Sequence, residues 1–448
     1  MCFIIKISEV DAVCDSYDIL IIGAGPAGLS FARSLADLPL KVAILERSSK
    51  STLENPPEDG REIALTHQSV EIMKACGAWQ RVPDEDISPI EGAKVFDGNS
   101  SYSLNFDNES QTLDALGYLV PNHQIRKAYY EELCAHPQIE ILTETLVEEI
   151  YTDNRSGRVI LNNGKEMSAS LIVAADTRFS EMRRKMGLSA SMKDFSRSAI
   201  VCRMEHTQPH QQTAFECFHY GRTTAILPMN DNRSSIVVTV NSRDAQRFAD
   251  MSETEFNRNI EDQLDGLLGE MNLLGQRHIY PLVAVHANEF VGRRFALIGD
   301  AAVGMHPVTA HGFNLGLKGQ ATLAKQLTHA IAEGEDIADD NLLKAYEAEQ
   351  MKTTRVLYHG TNLVVGLFTN ETVAAKLARK ATLRLANNIA PVKQLITQSL
   401  TEKASDNTNP LSEIQKYLPP LPKTAPLHHK VEALIPDKIK PMNIFGLK

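Results

Sequence analysis

The chain has 448 residues, 43% hydrophobic and 23% charged, enough for a sizeable core in one large or two fused domains. Its 46 basic and 56 acidic side chains leave a formal net charge of −10, which argues against nucleic acid as a partner. No apolar run is long enough to span a bilayer, and six cysteines without a C-x-x-C pair or metal-ligand spacing read as reduced structural thiols, with no metal site.

The N-terminal stretch "MCFIIKISEVDAVCDS" has an apolar patch, but Lys6 and Glu9 interrupt it. It lacks the basic-apolar-small order of a secretory signal. The expectation is a cytoplasmic protein, with contact at a membrane surface left open.

From Tyr17 the chain reads "YDILIIGAGPAGLSFARSLADLPLKVAILER": strand, glycine turn, helix from Pro26 to about Asp37, and a second strand ending in Glu46. "DILII" is an apolar run of the kind buried in a parallel sheet. "GAGPAG" spans Gly23, Ala24, Gly25, Pro26, Ala27 and Gly28 and fits G-x-G-x-x-G. Gly23 permits the tight turn, Gly25 lets backbone approach a pyrophosphate, and Gly28 lets the helix pack close on the strand. The helix start offers unpaired N–H groups and a positive dipole end to phosphates. Glu46 lies 18 residues beyond Gly28, the separation at which an acid reaches a ribose hydroxyl. The alternative reading is a plain strand-turn-helix packing unit.

Two more apolar strands end in an acid, "SLIVAAD" at Asp176 and "RFALIGD" at Asp300. Ligands of open α/β sheets sit at the carboxyl ends of strands. Residues 187–285 alternate polar and apolar, as in "TAFECFHY" and "SSIVVTVNS", which predicts antiparallel strands interrupted by the charged helix "SETEFNRNIEDQLDGLLGEM". Residues 88–106 read the same way. Past Leu317 the pattern is helical to about residue 400. The stripe in "LLKAYEAEQMKTTRVLYHGTNLVVGLF" reads as core or an oligomer face. His206, His210, His219 and His286 show no ligand spacing and read as surface or satisfied histidines. The expected fold is α/β: a Rossmann-like FAD-binding domain from residues 16–87, 115–186 and 286–400, with C-terminal helices. Residues 88–114 and 187–285 form the inserted antiparallel substrate domain, and 401–448 a proline-rich tail.

Taken together, "GAGPAG", "LVPNHQIRKAYYEEL", "VAADTRFSEMRR" and "GDAAVGMHPVTAHGFNLG" resemble the single-component FAD-dependent aromatic hydroxylases. Within them the chain is similar to the ubiquinone-biosynthesis hydroxylases of the UbiH/UbiF type, and to the UbiM group in particular. The resemblance covers roughly residues 16–400 and implies a role for each matching position. Glu46 would bind the ribose of the FAD adenosine, with Arg47 beside it. Arg61 in "DGREIAL" would lie near the flavin and pyrophosphate, and Asn122 would touch the cofactor. Asp176 would fix FAD and help engage NAD(P)H. Gly299–Asp300 would bond the ribityl chain, and Pro307 would lie beside the isoalloxazine ring. Gly312, Phe313, Asn314 and Leu315 would open a helix toward the pyrimidine edge, where its N-terminus stabilises the negative charge of reduced flavin. His311 stands where relatives have Gln, so it is either a substitute hydrogen-bond donor or, with Pro307, a residue that tunes the flavin. Two further departures are Thr177 after Asp176 and Gly319 in place of an acid.

The implied chemistry is hydroxylation of the aromatic ring of a polyprenylated ubiquinone precursor. NAD(P)H reduces FAD, O2 adds at the flavin C4a, and the hydroperoxide transfers OH to the ring. No side chain need act as a nucleophile, so no catalytic residue is assigned. The implied partners are a lipophilic aromatic substrate and other ubiquinone-biosynthesis proteins, with the chain peripheral at the inner membrane. Two alternatives stay open: a non-catalytic flavin-binding scaffold in a quinone-biosynthesis complex, or an FAD-dependent oxidoreductase acting on another aromatic substrate. A disulfide oxidoreductase would need a redox Cys pair and a second nucleotide fingerprint. A flavin halogenase would carry Trp-x-Trp, and Trp79 is the single tryptophan. An NAD dehydrogenase would leave Gly299–Asp300 without purpose.

Overall fold

The computed structural model describes residues 15–97, 103–107, 114–219, 222–307 and 311–369. The proline-rich segment 401–448, and the helical reading beyond residue 369, lie outside the described residues.

The first sheet has eight strands, and five of them run parallel, in the order Phe295–Leu297, Glu166–Ala174, Asp15–Ile22, Val42–Leu45, Ile139–Leu142; Val291–Gly292, Gly157–Leu161 and Val147–Thr152 add antiparallel pairs at its margins. Their apolar runs are buried in one core cluster, as parallel strands require. Helix Pro26–Leu35 covers one face, burying Leu29, Phe31, Ala32 and Leu35. The chain leaves the first strand toward Val42–Leu45 on one side and returns through Glu166–Ala174 on the other. That reversal opens a crevice at the carboxyl end of Asp15–Ile22. "GAGPAG", Glu46, Asp176 and Gly299–Asp300 all follow strands at this same edge.

A second, eight-stranded sheet runs in the order Val303–Gly304, Met271–Ala287, Ala190–His206, Arg233–Asn241, Arg222–Pro228, Thr213–His219, Gly92–Asp97, Ser103–Asp107. Its alternation divides two environments. Phe215, Cys217, Ile226, Ile236, Val238 and Val240 turn into a core closed by helices Ser242–Asp250 and Glu253–Gln263. Glu216, Thr223, Ala225, Leu227, Val237 and Thr239 turn the other way, into a cavity.

The sequence reading of residues 88–106 needs correcting. Ser88–Ile90 belongs to a small separate sheet with Gly117–Pro121 and Glu62–Leu65. Only Gly92–Asp97 and Ser103–Asp107 join the large one, and Gly92–Asp97 pairs with Thr213–His219 in parallel. Alternation fixes which face a residue takes but not which neighbour it pairs with. The charged helix is also shorter than its pattern, ending at Gln263. Helices His311–Glu333 and Asp340–Thr369 follow, and the stripe Leu343, Tyr346, Met351 of the latter is core.

Candidate active site

Three of the four sequence motifs, around Gly23, Asp176 and Asp300, interlock through close contacts that exclude side chains. Gly23 sits at φ +106°, and a Cβ on it would lie 2.7 Å from the Ala175 carbonyl oxygen. A Cβ on Gly28 would lie 1.9 Å from the Gly23 carbonyl oxygen, so no other residue fits there. Gly299, at φ +58°, backs onto Ala27, and Gly316 of helix His311–Glu333 backs onto Gly299. Two glycines behave differently. A Cβ on Gly25 or on Gly312 would meet no protein atom within 4 Å, and both positions border the cavity. Helix Pro26–Leu35 has no side-chain cap on its first turn, leaving its N–H groups directed at that space.

Charged side chains hold the rim. Glu46 accepts from the Ala24 N–H at 2.7 Å and from the Ser48 N–H at 2.8 Å, clamping the glycine turn to the strand beside it. Asp176 caps the short helix after it, its Oδ2 accepting from Glu181 N–H at 2.8 Å. Its Oδ1 is buried and takes no hydrogen bond among the described residues. Asp300 receives Arg178 Nη2 at 3.3 Å, and the buried Arg183 donates to the Ala301 carbonyl at 2.8 Å, fixing the Gly-Asp turn from behind. Arg61 forks onto Asp59, at 2.6 Å from Nη2 and 3.0 Å from Nε. Asn122 Nδ2 donates to the same oxygen at 2.8 Å, and Tyr280 donates its hydroxyl to the Asp59 carbonyl at 2.7 Å. Burial pushes Asp59 upward, but the bonds from Arg61 and Asn122 outweigh it and hold the carboxyl below its ordinary range.

Of these groups, Arg61, Asn122, Asp176, Arg178 and Asp300 border one cavity of about 540 Å³. One side is the strand-edge cradle of Gly25, Arg61, Asn122, Asp176 and Asp300. The other is the inner face of the large sheet, with Met305, His306 and Pro307 between.

An FAD-binding-domain family model matches residues 16–359. The chain is 50% identical over 388 residues to the ubiquinone hydroxylase UbiM of Neisseria meningitidis, covering 86% of this chain and 84% of that one. It is 31% identical over 378 residues to the ubiquinone hydroxylase UbiL of Rhodospirillum rubrum, covering 84% and 88%. Among solved structures, p-nitrophenol 4-monooxygenase from Pseudomonas putida superposes with a TM-score of 0.70 at 20% identity, covering 86% of this chain and 99% of that one, which fixes the fold. The chain belongs to the FAD-binding-domain family of flavoprotein hydroxylases. Its cofactor is FAD.

Of the positions singled out in the hydroxylase's sequence, Gly25, Pro26, Ala27, Arg61, Asn122, Asp176, Gly299, Asp300, Pro307, Gly312 and Phe313 border the cavity. Gly23, Ala24, Gly28 and Glu46 shape the turn behind it. Arg47 is exposed and does not border the cavity. Asn314 is buried and ties its helix to the neighbouring strand: Nδ2 donates to the Ala64 carbonyl at 2.9 Å, and Oδ1 accepts from the Thr66 N–H at 3.1 Å. Leu315 is core. His311 is the first residue of helix His311–Glu333 and is buried at 6% exposure, outside the cavity wall.

The structure also places at the site residues that the sequence did not mark. Asp59 and Arg178 stand two positions from Arg61 and Asp176, so proximity to a motif was the available signal. His306 packs edge-on against Phe195, with ring centroids 4.8 Å apart. Burial, with Lys193 and Arg197 nearby, brings its pKa down to about 4, so it stays neutral at physiological pH. Glu62 is 1% exposed, holds Arg203 Nε at 2.7 Å by one oxygen, and leaves the other without a hydrogen bond among the described residues. Burial, against the pull of Arg203, raises it to about 7. His206, His210 and His286 all have hydrogen-bond partners in the fold.

Proposed function

We propose that this hydroxylase adds oxygen to the aromatic ring of a polyprenylated ubiquinone precursor, using NAD(P)H and O2. The observation that carries the reading is the single cavity that joins the strand-edge cradle to an apolar, small-residue sheet face. One wall suits a dinucleotide and the other a flat, lipophilic ring, so the two are held in contact. The names of the UbiM and UbiL relatives support the substrate class.

The open space at Gly25 and Gly312 and the unpaired Asp176 Oδ1 fit FAD. In this reading the uncapped turn at Pro26 receives the pyrophosphate, and Glu46 sets the turn while offering its remaining lone pairs to the ribose. Asp300 accepts from the ribityl hydroxyls, with Arg178 holding its carboxylate in place. The Arg61–Asp59–Asn122 network would hold the cofactor from the cavity rim. Bound FAD supplies the redox and oxygen chemistry. Neutral His306 and Pro307 shape the wall where ring and cofactor meet, and the sheet face excludes water. Because the substrate is lipophilic, the reading puts the enzyme in the cytoplasm, meeting its substrate at the inner-membrane surface. No helix among the described residues is long and apolar enough to cross a membrane.

Purified protein should be yellow with FAD, and a prenylated phenol should stimulate its NAD(P)H oxidation and gain one oxygen atom from labelled O2. A deletion strain should accumulate a quinone precursor lacking one ring hydroxyl. Bound FAD without substrate-stimulated turnover would favour the scaffold reading instead.

A further inference from the structure

On the inner face of the large sheet, register places Glu216 opposite Ala225, and Ala225 opposite Val237. On its other side Glu216 pairs with Val95. Thr223 and Thr239 face each other in the next row along this face. Glu216 is therefore the one carboxyl on a wall of small apolar residues and threonines, and it borders the cavity. The flanking Phe215 and Cys217 are buried in the core on the opposite face, so the strand is pinned and the carboxyl cannot turn away without unpacking it. A lone carboxyl on such a wall costs free energy unless something in the cavity uses it.

Resting on the functional reading above, we propose that Glu216 is the hydrogen-bond acceptor and proton acceptor for the aromatic hydroxyl of the substrate. The ring O–H bond breaks and a carboxyl O–H forms, leaving the electron pair on the ring oxygen. That pair raises electron density at the ortho and para carbons, one of which takes one atom of O2 as hydroxyl, while the other atom leaves as water with two electrons supplied by NAD(P)H. Insertion leaves a ring ketone at the former hydroxyl. The carbon that gained oxygen then loses its proton to water, and the carboxyl returns its proton to the ketone oxygen, restoring the aromatic ring and the carboxylate.

The chemistry of the site agrees. Burial raises the Glu216 carboxyl to about 8, with no charged group contributing, which makes it a proton acceptor near the operating pH. The cavity's other titratable groups are Arg61, Glu62, Asp176, Arg178, Asp300 and His306. Arg61, Glu62, Asp176 and Asp300 belong to the cradle and its rim, Arg178 is paired with Asp300 there, and neutral His306 contributes no charge.

The test uses the FAD-loaded full chain, a phenol bearing a short prenyl chain, and the O-methyl ether of that phenol. Glu216→Gln should keep its FAD content and its rate of flavin reduction by NAD(P)H, while kcat for hydroxylation falls on the order of 100-fold. Wild-type kcat should rise with pH through about 8, and that rise should be absent in Glu216→Gln and partly restored in Glu216→Asp. Wild type should bind the phenol at least about 10-fold tighter than the ether, a hydrogen bond's worth of affinity. Wild-type kcat and pH profile in Glu216→Gln would overturn the inference, as would equal wild-type binding of phenol and ether. A wild type that hydroxylates no prenylated phenol would overturn the functional reading itself, a result distinct from either.

Discussion

The two walls of the cavity are built on different physical terms. The cradle is made by backbone: strand ends, a helix start without a cap, and glycines whose Cβ would collide with a neighbouring carbonyl. The opposite wall is made by side chains on one face of an antiparallel sheet, brought together by pairing between Gly92–Asp97, Thr213–His219, Arg222–Pro228 and Arg233–Asn241. A backbone site tolerates no substitution where it is tight and wide freedom elsewhere. A side-chain site is the reverse: each residue can change without loss of fold, and each change alters what the wall accepts. A cofactor common to a family suits the first kind of wall, and a substrate that differs between members suits the second.

The sharpest way to break this contrast lies in the glycine turn. Gly28→Val should cost at least about 3 kcal/mol, because overpacking against a carbonyl cannot relax, and should leave protein that neither melts cooperatively nor binds FAD. Gly25→Ala should melt like wild type in the absence of FAD and yet hold the cofactor poorly. If both variants lose FAD but fold equally well, the distinction between tight and open glycines fails.

Asp300→Ala comes next. On the proposed reading it would leave the ribityl hydroxyls without their acceptor, at about 1–3 kcal/mol for each group unpaired, and it frees Arg178. Flavin content after gel filtration should drop sharply while apoprotein stability changes little. Normal retention and turnover would remove Asp300 from the cradle.

Glu62 tests the boundary between the walls. Its carboxyl rises to about 7 in the folded chain against an ordinary value of 4.5. The folded state therefore holds its proton longer than the unfolded one. The stability this group contributes is complete below pH 4.5 and is lost as pH rises toward 7. Each pH unit between the two values is worth about 1.4 kcal/mol. Melting curves of the apoprotein across this range should fall more steeply for wild type than for Glu62→Gln. Equal slopes would mean that Glu62 is ionised against Arg203 throughout.

The smallest effect belongs to His311. Because it is buried behind the cavity wall rather than on it, His311→Gln should keep FAD, potential and coupling close to wild type. A lower flavin potential with more peroxide per NAD(P)H would show instead that the imidazole tunes the flavin from behind.

The cradle was legible in the sequence because its requirements are local. A turn at positive φ needs glycine, a helix start needs bare N–H groups, and the acids Glu46, Asp176 and Asp300 follow their strands within one to three residues. Short-range chemistry of that kind is written in consecutive positions, and the family resemblance of the same motifs extended it to the cofactor. What the motifs left out was decided by tertiary structure. Asn314 lies in a motif, yet its side chain is spent on the Ala64 and Thr66 backbone, because helix and strand meet there. Asp59 became the centre of the Arg61 and Asn122 network only when Gly117–Pro121 paired beside Glu62–Leu65. Glu216 read as one polar position in an alternating strand. Alternation has a period of two and assigns a face, but whether that face meets water or a cavity depends on what packs across from it. For the large sheet, that was settled by register between strands more than a hundred residues apart in the chain, such as Gly92–Asp97 and Thr213–His219.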